Sequence, residues 1–378
     1  MFQDGMFEIG EITVTDPMKK VKGMGLNPFI CYKVRTTGLS GAAVERRYND
    51  FYWLFESFIA LYPGAIIPQI PEKSAFKRYD EDYVDNRRKR LEVFLNRVAK
   101  HPLLSKTDNF EVFLLANDAK LESMKAQERA SRQSTLSWLS DNFANLNPID
   151  MFDYDSKDEI DEMFAKKHSK MKTLLKCTTD LTDAAVLMVK AICESSIALS
   201  QVGADIIQWS KDDEDEVLKS RLEKVGSSCS TISVQIGRFA QAKFENLEEP
   251  LQDCVGMIIA AVNAFERREQ ARLYYLRCKK DTVSHAEGKL STLSMANSLI
   301  TSKKELHAKA VMAEETARSR LEQISNMLKG EFIEFEKTRV PEIKEVIINF
   351  TKIQVLMEIL FIFEIISHRR TTTPSCEW

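Results

Sequence analysis

A chain of 378 residues with 53 Lys and Arg against 56 Asp and Glu, 44% hydrophobic residues, 13 Gly and 10 Pro has a folded, charge-rich, helix-leaning composition. That excludes collagenous, low-complexity and disulfide-stapled classes. The length exceeds one ordinary core of roughly 150 residues and predicts two domains, or one domain with a long helical part. The formal net charge of −3 speaks against nucleic acid as a partner and still allows a local basic patch for an anionic surface.

The seven cysteines are scattered, with no short pair at metal-ligand spacing, and read as reduced cytosolic thiols. Residues 1–10 carry acidic side chains where a leader needs basic ones. The apolar segment 346–366 is interrupted by Lys352, Glu358 and Glu364 and reads as a helix face and not a bilayer span.

Residues 7–15 alternate in strand fashion until Asp16-Pro17, and residues 28–36 give a second strand. A turn flanked by Gly38 and Gly41 precedes a third strand over 44–48. The period then becomes helical, with Phe51, Leu54, Phe55, Phe58, Ile59 and Tyr62 at spacings of three and four, until Pro63-Gly64 stops it. Pro68 and Pro71 favour an extended loop through Lys73. Residues 80–100 form a second helix with Leu91, Phe94, Leu95 and Val98 inward. The sum is a compact α+β domain of about 120 residues.

Beyond Leu121 the chain has no glycine before Gly203 and no proline between Pro148 and Pro250, which permits very long helices. Breaks fall at the acidic run 211–216, with Ser210 or Asp212 as cap, and near 281–284. Three helices of roughly 50 to 75 residues follow, each about 75 to 110 Å long, bent at the interior prolines Pro250 and Pro341. The apolar stripe through Leu174, Leu181, Val186, Val189, Ile197 and Leu199 is too broad to bury within one chain and implies dimerisation.

The candidate site residues lie in Glu45-Arg46-Arg47-Tyr48-Asn49-Asp50-Phe51, in the Pro68/Pro71/Lys73 loop and in Arg87-Arg88-Lys89-Arg90-Leu91. In that order the three elements resemble the phosphoinositide-binding PX domain over residues 7–118. The resemblance implies that Arg47 holds the 3-phosphate, Tyr48 packs against the inositol ring, Lys73 meets the 1-phosphate and Arg87 bonds the free ring hydroxyls, with Arg46 as a supporting charge. Guanidinium forks and an aromatic face suit such a headgroup. Arg88 is the ambiguous neighbour of Arg87, because a one-residue slip turns a side chain by about 100°. Taken by itself, the run 87–90 reads more readily as a solvated helix face, and the lipid reading comes from its combination with Arg47-Tyr48 and the proline loop.

In the linker at 119–150, Leu136, Leu139, Phe143 and Leu146 share one helical face, with Trp138 at its margin. That face either enters a headgroup boundary or packs on the neighbouring domain; its polar side lacks the usual Lys and Arg. A second basic cluster, Arg267, Arg268, Arg272, Arg277, Lys279 and Lys280, gathers near the second helix-helix turn.

A PX domain followed by three kinked, dimerising helices resembles the PX-BAR sorting nexins of the Vps5 type, with a BAR region over 151–366 and a tail over 367–378. The resemblance implies a peripheral protein on the cytosolic face of early endosomes. It would bind phosphatidylinositol 3-phosphate, sense or induce curvature, and pair as a homodimer or with another PX-BAR nexin beside retromer cargo-recognition subunits. Leu136, Leu139, Phe143, Arg267, Arg268, Arg272, Lys279 and Lys280 would then be its membrane contacts, each juxtamembrane cation worth about 1 kcal/mol. The rival reading is a cytosolic coiled-coil adaptor whose PX fold binds protein. The five histidines show no metal pair, no phosphate-cradling glycine loop or nucleophile elbow occurs, and neither enzyme activity nor cofactor is expected.

Overall fold

A computed structural model describes residues 10–21, 28–37, 43–73, 80–135, 158–286 and 303–372. They fall into two compact units, one of residues 1–169 with 259–334, the other of 170–258 with 335–378.

The first unit opens with a three-stranded antiparallel sheet in the order β1 (Ile12–Val21), β2 (Pro28–Thr36), β3 (Val44–Arg47). Asp16-Pro17 does not end β1 as the sequence suggests. The register shifts between Thr15 and Met18, Asp16 takes a positive φ of 49°, and the strand runs on as a bulge. Helix α1 (Tyr48–Leu61) begins within the residues read as strand end, because Asp50 accepts from the Arg47 backbone N–H and closes its first turn. Helices α2 (Glu81–Lys100), α3 (Asp108–Leu115) and α4 (Asp118–Thr135) complete the domain. Asp80 and Thr107 cap α2 and α3 through their side chains.

The core joins Ile12, Val14, Tyr32 and Val34 of the sheet to Phe51, Leu54 and Phe58 of α1, Leu91, Phe94, Leu95 and Val98 of α2, and Phe110 and Phe113 of α3. Burying each such side chain contributes about 1.5–3 kcal/mol. Outside that face α2 carries a polar row at i, i+4 and i+8 that caps the open edge of β1. Asn96 accepts from Ile12 N at 3.0 Å and donates to its carbonyl at 2.7 Å, Glu92 accepts from Val14 N at 2.7 Å, and Arg88 donates to the Val14 carbonyl at 3.0 Å. Three side chains replace a fourth strand and block edge pairing.

The long helices are α5 (Glu159–Asp212), α6 (Glu216–Lys243), α7 (Glu249–Ala286) and α8 (Lys303–Thr372). A π turn, Phe244–Glu248, joins α6 to α7 without a break. It stands where Pro250 would otherwise collide with the carbonyl four residues back, so the ladder widens around the proline. Asp215, and not Ser210 or Asp212, caps α6 through Val217 N and Leu218 N. Pro341 lies within α8, which continues to Thr372 through the first residues read as tail.

In the first unit, parts of α7 and α8 pack against the α+β domain. A Cβ on Gly64 would stand 2.6 Å from the Ile324 carbonyl, so only glycine admits this approach. Glu331 accepts from Ile66 N at 3.1 Å and pairs with His101 Nε2 at 2.9 Å. In the second unit, a Cβ on Gly226 would lie 2.7 Å from the Gly203 carbonyl, marking the close crossing of α5 and α6 beside their turn. Ala185, Leu247, Leu251 and Val346 form a small core there, with Met188 and Phe350 against it. The six cysteines among the described residues form no disulfide with one another.

Candidate functional site

The strand-to-helix junction β3–α1 sends three successive side chains, Arg46, Arg47 and Tyr48, in different directions. Arg46 is buried. Its guanidinium donates to the carbonyls of Phe113 at 2.8 Å and Ala116, pairs with Asp118 at 3.3 Å, and lies 5.6 Å from the centre of the Phe113 ring. Burial pushes its pKa down, the two aspartates opposing. The expectation that Arg46 is a supporting charge for a headgroup is corrected. It closes the C-terminal end of α3, where helix carbonyls lack partners, and presents no cation to solvent.

Arg47 is the half-buried member of the pair, its side chain 30% exposed. Its Nε lies 3.3 Å from Asp50 Oδ1, its Nη2 lies 3.3 Å from Glu122 Oε1, and the guanidinium stands 5.8 Å from the Phe29 ring centre. These residues border a cleft of about 250 Å³, which Lys20, Glu45, Asp118 and Leu121 also line.

Tyr48 turns the other way. Its hydroxyl donates to the Pro71 carbonyl at 2.6 Å and its ring faces the Arg87 guanidinium at 4.5 Å. Burial pushes the phenol up to about 12. Arg87 is itself buried between two rings, 4.5 Å from Tyr48 and 4.5 Å from Tyr83, and its Nη2 donates to the Glu72 carbonyl at 3.3 Å and to the Tyr83 hydroxyl. Tyr83 donates in turn to the Glu72 carbonyl at 3.0 Å. Both arginine and tyrosine hold the proline loop by its backbone, and Lys73, the next residue along, is exposed.

The structure thus brings Tyr48, Arg87 and the loop bearing Lys73 into one constellation and sets the Arg47 guanidinium in a cleft whose lining does not include them. Arg88 is assigned away from it, to the β1 edge. Tyr83 is the residue that sequence reasoning missed; its spacing of four before Arg87 on α2 is the signal that could have found it. Glu122 and Lys125 of α4 also went unread. Lys125 Nζ is buried, contacts Asp50 and lies 3.1 Å from Glu122.

Three arginines of the second basic cluster are buried as well. Arg267 is buried, and its Nε and Nη2 donate to the carbonyls of Pro63 at 2.7 Å and Ala65 at 2.6 Å. Burial pushes its pKa down to about 10. Arg268 donates to Ser325 at 3.1 Å and to Asp161, and its guanidinium stands 4.3 Å from the Phe164 ring centre. Arg272 is buried against Glu269 at 2.7 Å. These three are interior ties within the first unit. Lys279 and Lys280 are exposed, and Leu136, Leu139 and Phe143 lie outside the described residues. No group of acidic, histidine or cysteine side chains suited to a metal occurs among the described residues.

Helix α5 is long and apolar enough to cross a membrane by length and composition. Yet it leaves Leu187 67% and Ile197 71% exposed, with Leu181, Val202 and Trp209 also uncovered.

Comparison with known proteins agrees with this architecture. The PX domain family matches residues 34–117, and the family described as Vps5 C terminal like matches residues 140–364. Sorting nexin 1 of Arabidopsis thaliana is 27% identical over 355 residues, covering 90% of this chain and 87% of that protein. Sorting nexin-30 of Danio rerio is 29% identical over 274 residues, 70% of this chain and 60% of that protein. The cryo-EM structure of the SNX-BAR Mvp1 tetramer aligns with a TM-score of 0.66 at 19% identity over 94% of this chain and 98% of that one, a likeness of fold.

Proposed function

The chain belongs to the sorting nexins that join a PX domain to a Vps5-type BAR region, and from that membership we propose that it reads phosphatidylinositol 3-phosphate on early endosomes. Proteins of this family are non-enzymatic, peripheral membrane-trafficking adaptors that bind phosphoinositides and act on membrane curvature. Within that frame, Arg47 holds the 3-phosphate, Tyr48 supports the inositol ring, Lys73 meets the 1-phosphate and Arg87 bonds ring hydroxyls.

The observation that carries the reading is the stack of Arg87 between Tyr48 and Tyr83, tied by Glu72 and Pro71 to the loop that presents Lys73. A guanidinium held between two rings at 4.5 Å from each has lost conformational freedom and acts as an oriented donor. That suits donation to ring hydroxyls beside the Lys73 loop, with the 3-phosphate assigned separately to Arg47 in its own cleft.

Domain limits of 7–118 for the PX domain, 119–150 for the linker, 151–366 for the BAR region and 367–378 for the tail fit this division of labour. Exposed Leu187 and Ile197 on α5 support pairing with a second copy or with another PX-BAR nexin. Two headgroup sites per dimer then act multivalently, and retromer-linked cargo retrieval is the process this assembly serves.

Titration calorimetry with soluble short-chain phosphatidylinositol 3-phosphate tests the assignment. Binding by the wild type, lost in Arg47→Ala and weakened in Tyr83→Ala, is the expected result. Equal heats from all three overturn the site and favour a PX fold that binds protein.

A further inference from the structure

The Arg47 cleft is acid-rich. Lys20 and Arg47 face Glu45, Asp50, Asp118 and Glu122 across it. An anionic headgroup approaching Arg47 therefore meets carboxylates already bonded to its target. Two of the four are committed elsewhere, Glu45 to Lys20 and Asp118 to buried Arg46. Asp50 also lies 3.3 Å from Arg47 Nε, but it is fixed in place by closing the first turn of α1 through Arg47 N and by its contact with Lys125. Glu122 differs. It reaches Arg47 with one oxygen from the first turns of α4, its side chain is 45% exposed, and its second contact is Lys125.

We propose that Glu122 is an intramolecular competitor for the headgroup phosphate, occupying the Arg47 guanidinium in the unliganded protein and keeping only its Lys125 contact when phosphate takes its place. The proposal rests on the reading of Arg47 as the phosphate-binding residue. A carboxylate and a phosphate use the same planar donors of a guanidinium, and the phosphate, with more charge, forms the stronger pair. The displacement strands no charge because Glu122 Oε1, the oxygen that faces Arg47, also lies 3.1 Å from buried Lys125 Nζ and keeps that partner. With Arg47 and Lys125 balanced by Asp50 and Glu122, the resting cluster is neutral, so binding is held to a lower affinity than Arg47 alone would give.

The test compares vesicle binding by the full chain as wild type, Glu122→Gln, Arg47→Ala and the double variant Glu122→Gln/Arg47→Ala. Vesicles carry phosphatidylinositol 3-phosphate in phosphatidylcholine, or phosphatidylserine in its place at equal charge. Glu122→Gln removes the Arg47–Glu122 pair together with the Glu122 contact to Lys125, which keeps Asp50, and is expected to bind the phosphoinositide vesicles about two- to fivefold more tightly, the range that an exposed pair such as Arg47–Glu122 spans. The gain disappears in the double variant and is absent on phosphatidylserine vesicles. If wild type binds in an Arg47-dependent way and Glu122→Gln gains nothing or weakens, Glu122 positions Arg47 and the competitor role is overturned while the headgroup reading stands. An equal gain on phosphatidylserine also overturns it, as general electrostatics. If neither wild type nor Glu122→Gln distinguishes the two vesicles, both readings fall together. Binding by Glu122→Gln alone supports the competitor role most strongly.

Discussion

Arg267 Nε donates to the backbone carbonyl of Pro63 at 2.7 Å across a gap of 204 residues. The same guanidinium reaches Ala65, so one buried cation on α7 satisfies both carbonyls of the turn that ends α1. A few residues along that stretch, Glu331 on α8 receives Ile66 N. The turn after α1 is thus clamped by opposite charges from two long helices, beside the Gly64 approach that admits them.

Arg267→Ala leaves two inward carbonyls without donors and is expected to cost about 2–5 kcal/mol. Arg267→Lys does not restore the loss, because an ammonium cannot span both acceptors. Denaturant unfolding gives the magnitude, and amide exchange at 64–67 gives the location. Unchanged protection there contradicts the clamp.

Asn96→Leu keeps the volume but strips the Ile12 backbone of its donor and acceptor. The expected loss is about 1–3 kcal/mol, with exchange of the β1 amides rising first. A neutral effect would mean that solvent satisfies this edge without α2.

How much of this was legible in the sequence follows the range of the interactions. The helical spacing from Phe51 to Tyr62, the proline loop and the Arg47-Tyr48 pair depend on neighbours and could be read directly. Arg46 and Arg47 look alike in sequence, yet alternation along β3 turns one to α3 and the other to a cleft. Arg267 and Arg268 read as a basic surface cluster because their partners lie far along the chain, and local charge density cannot show burial. The displaced cap at Asp215 and the π turn before Pro250 are choices among equivalent local options.

Lys243 is buried with its Nζ 3.5 Å from Met188 Sδ and 4.5 and 5.2 Å from the ring centres of Phe239 and Phe350. Burial pushes its pKa down from the ordinary 10.5. Its charged form is therefore a burden on the fold, present at neutral pH and relieved as pH rises toward 10.5, because there the unfolded chain binds more protons. Lys243→Met is expected to be neutral or to stabilise by up to about 2 kcal/mol at pH 7, with the difference shrinking at alkaline pH in thermal melts. A destabilised variant would point to a carboxylate supplied by a second copy.

Leu187→Glu and Ile197→Glu place charge on exposed apolar positions of α5. If a second chain covers this face, each variant shifts sedimentation equilibrium toward monomer without lowering helicity. Persistence of the same oligomer would locate the interface elsewhere.

The central claim is that Arg47 commits this protein to a phosphoinositide surface. Co-sedimentation of the full chain with phosphatidylcholine vesicles, with and without phosphatidylinositol 3-phosphate, tests it most directly when run beside Arg47→Ala. The account predicts pelleting that requires both the lipid and Arg47. Equal partitioning of wild type and variant, whatever the vesicle, would contradict it.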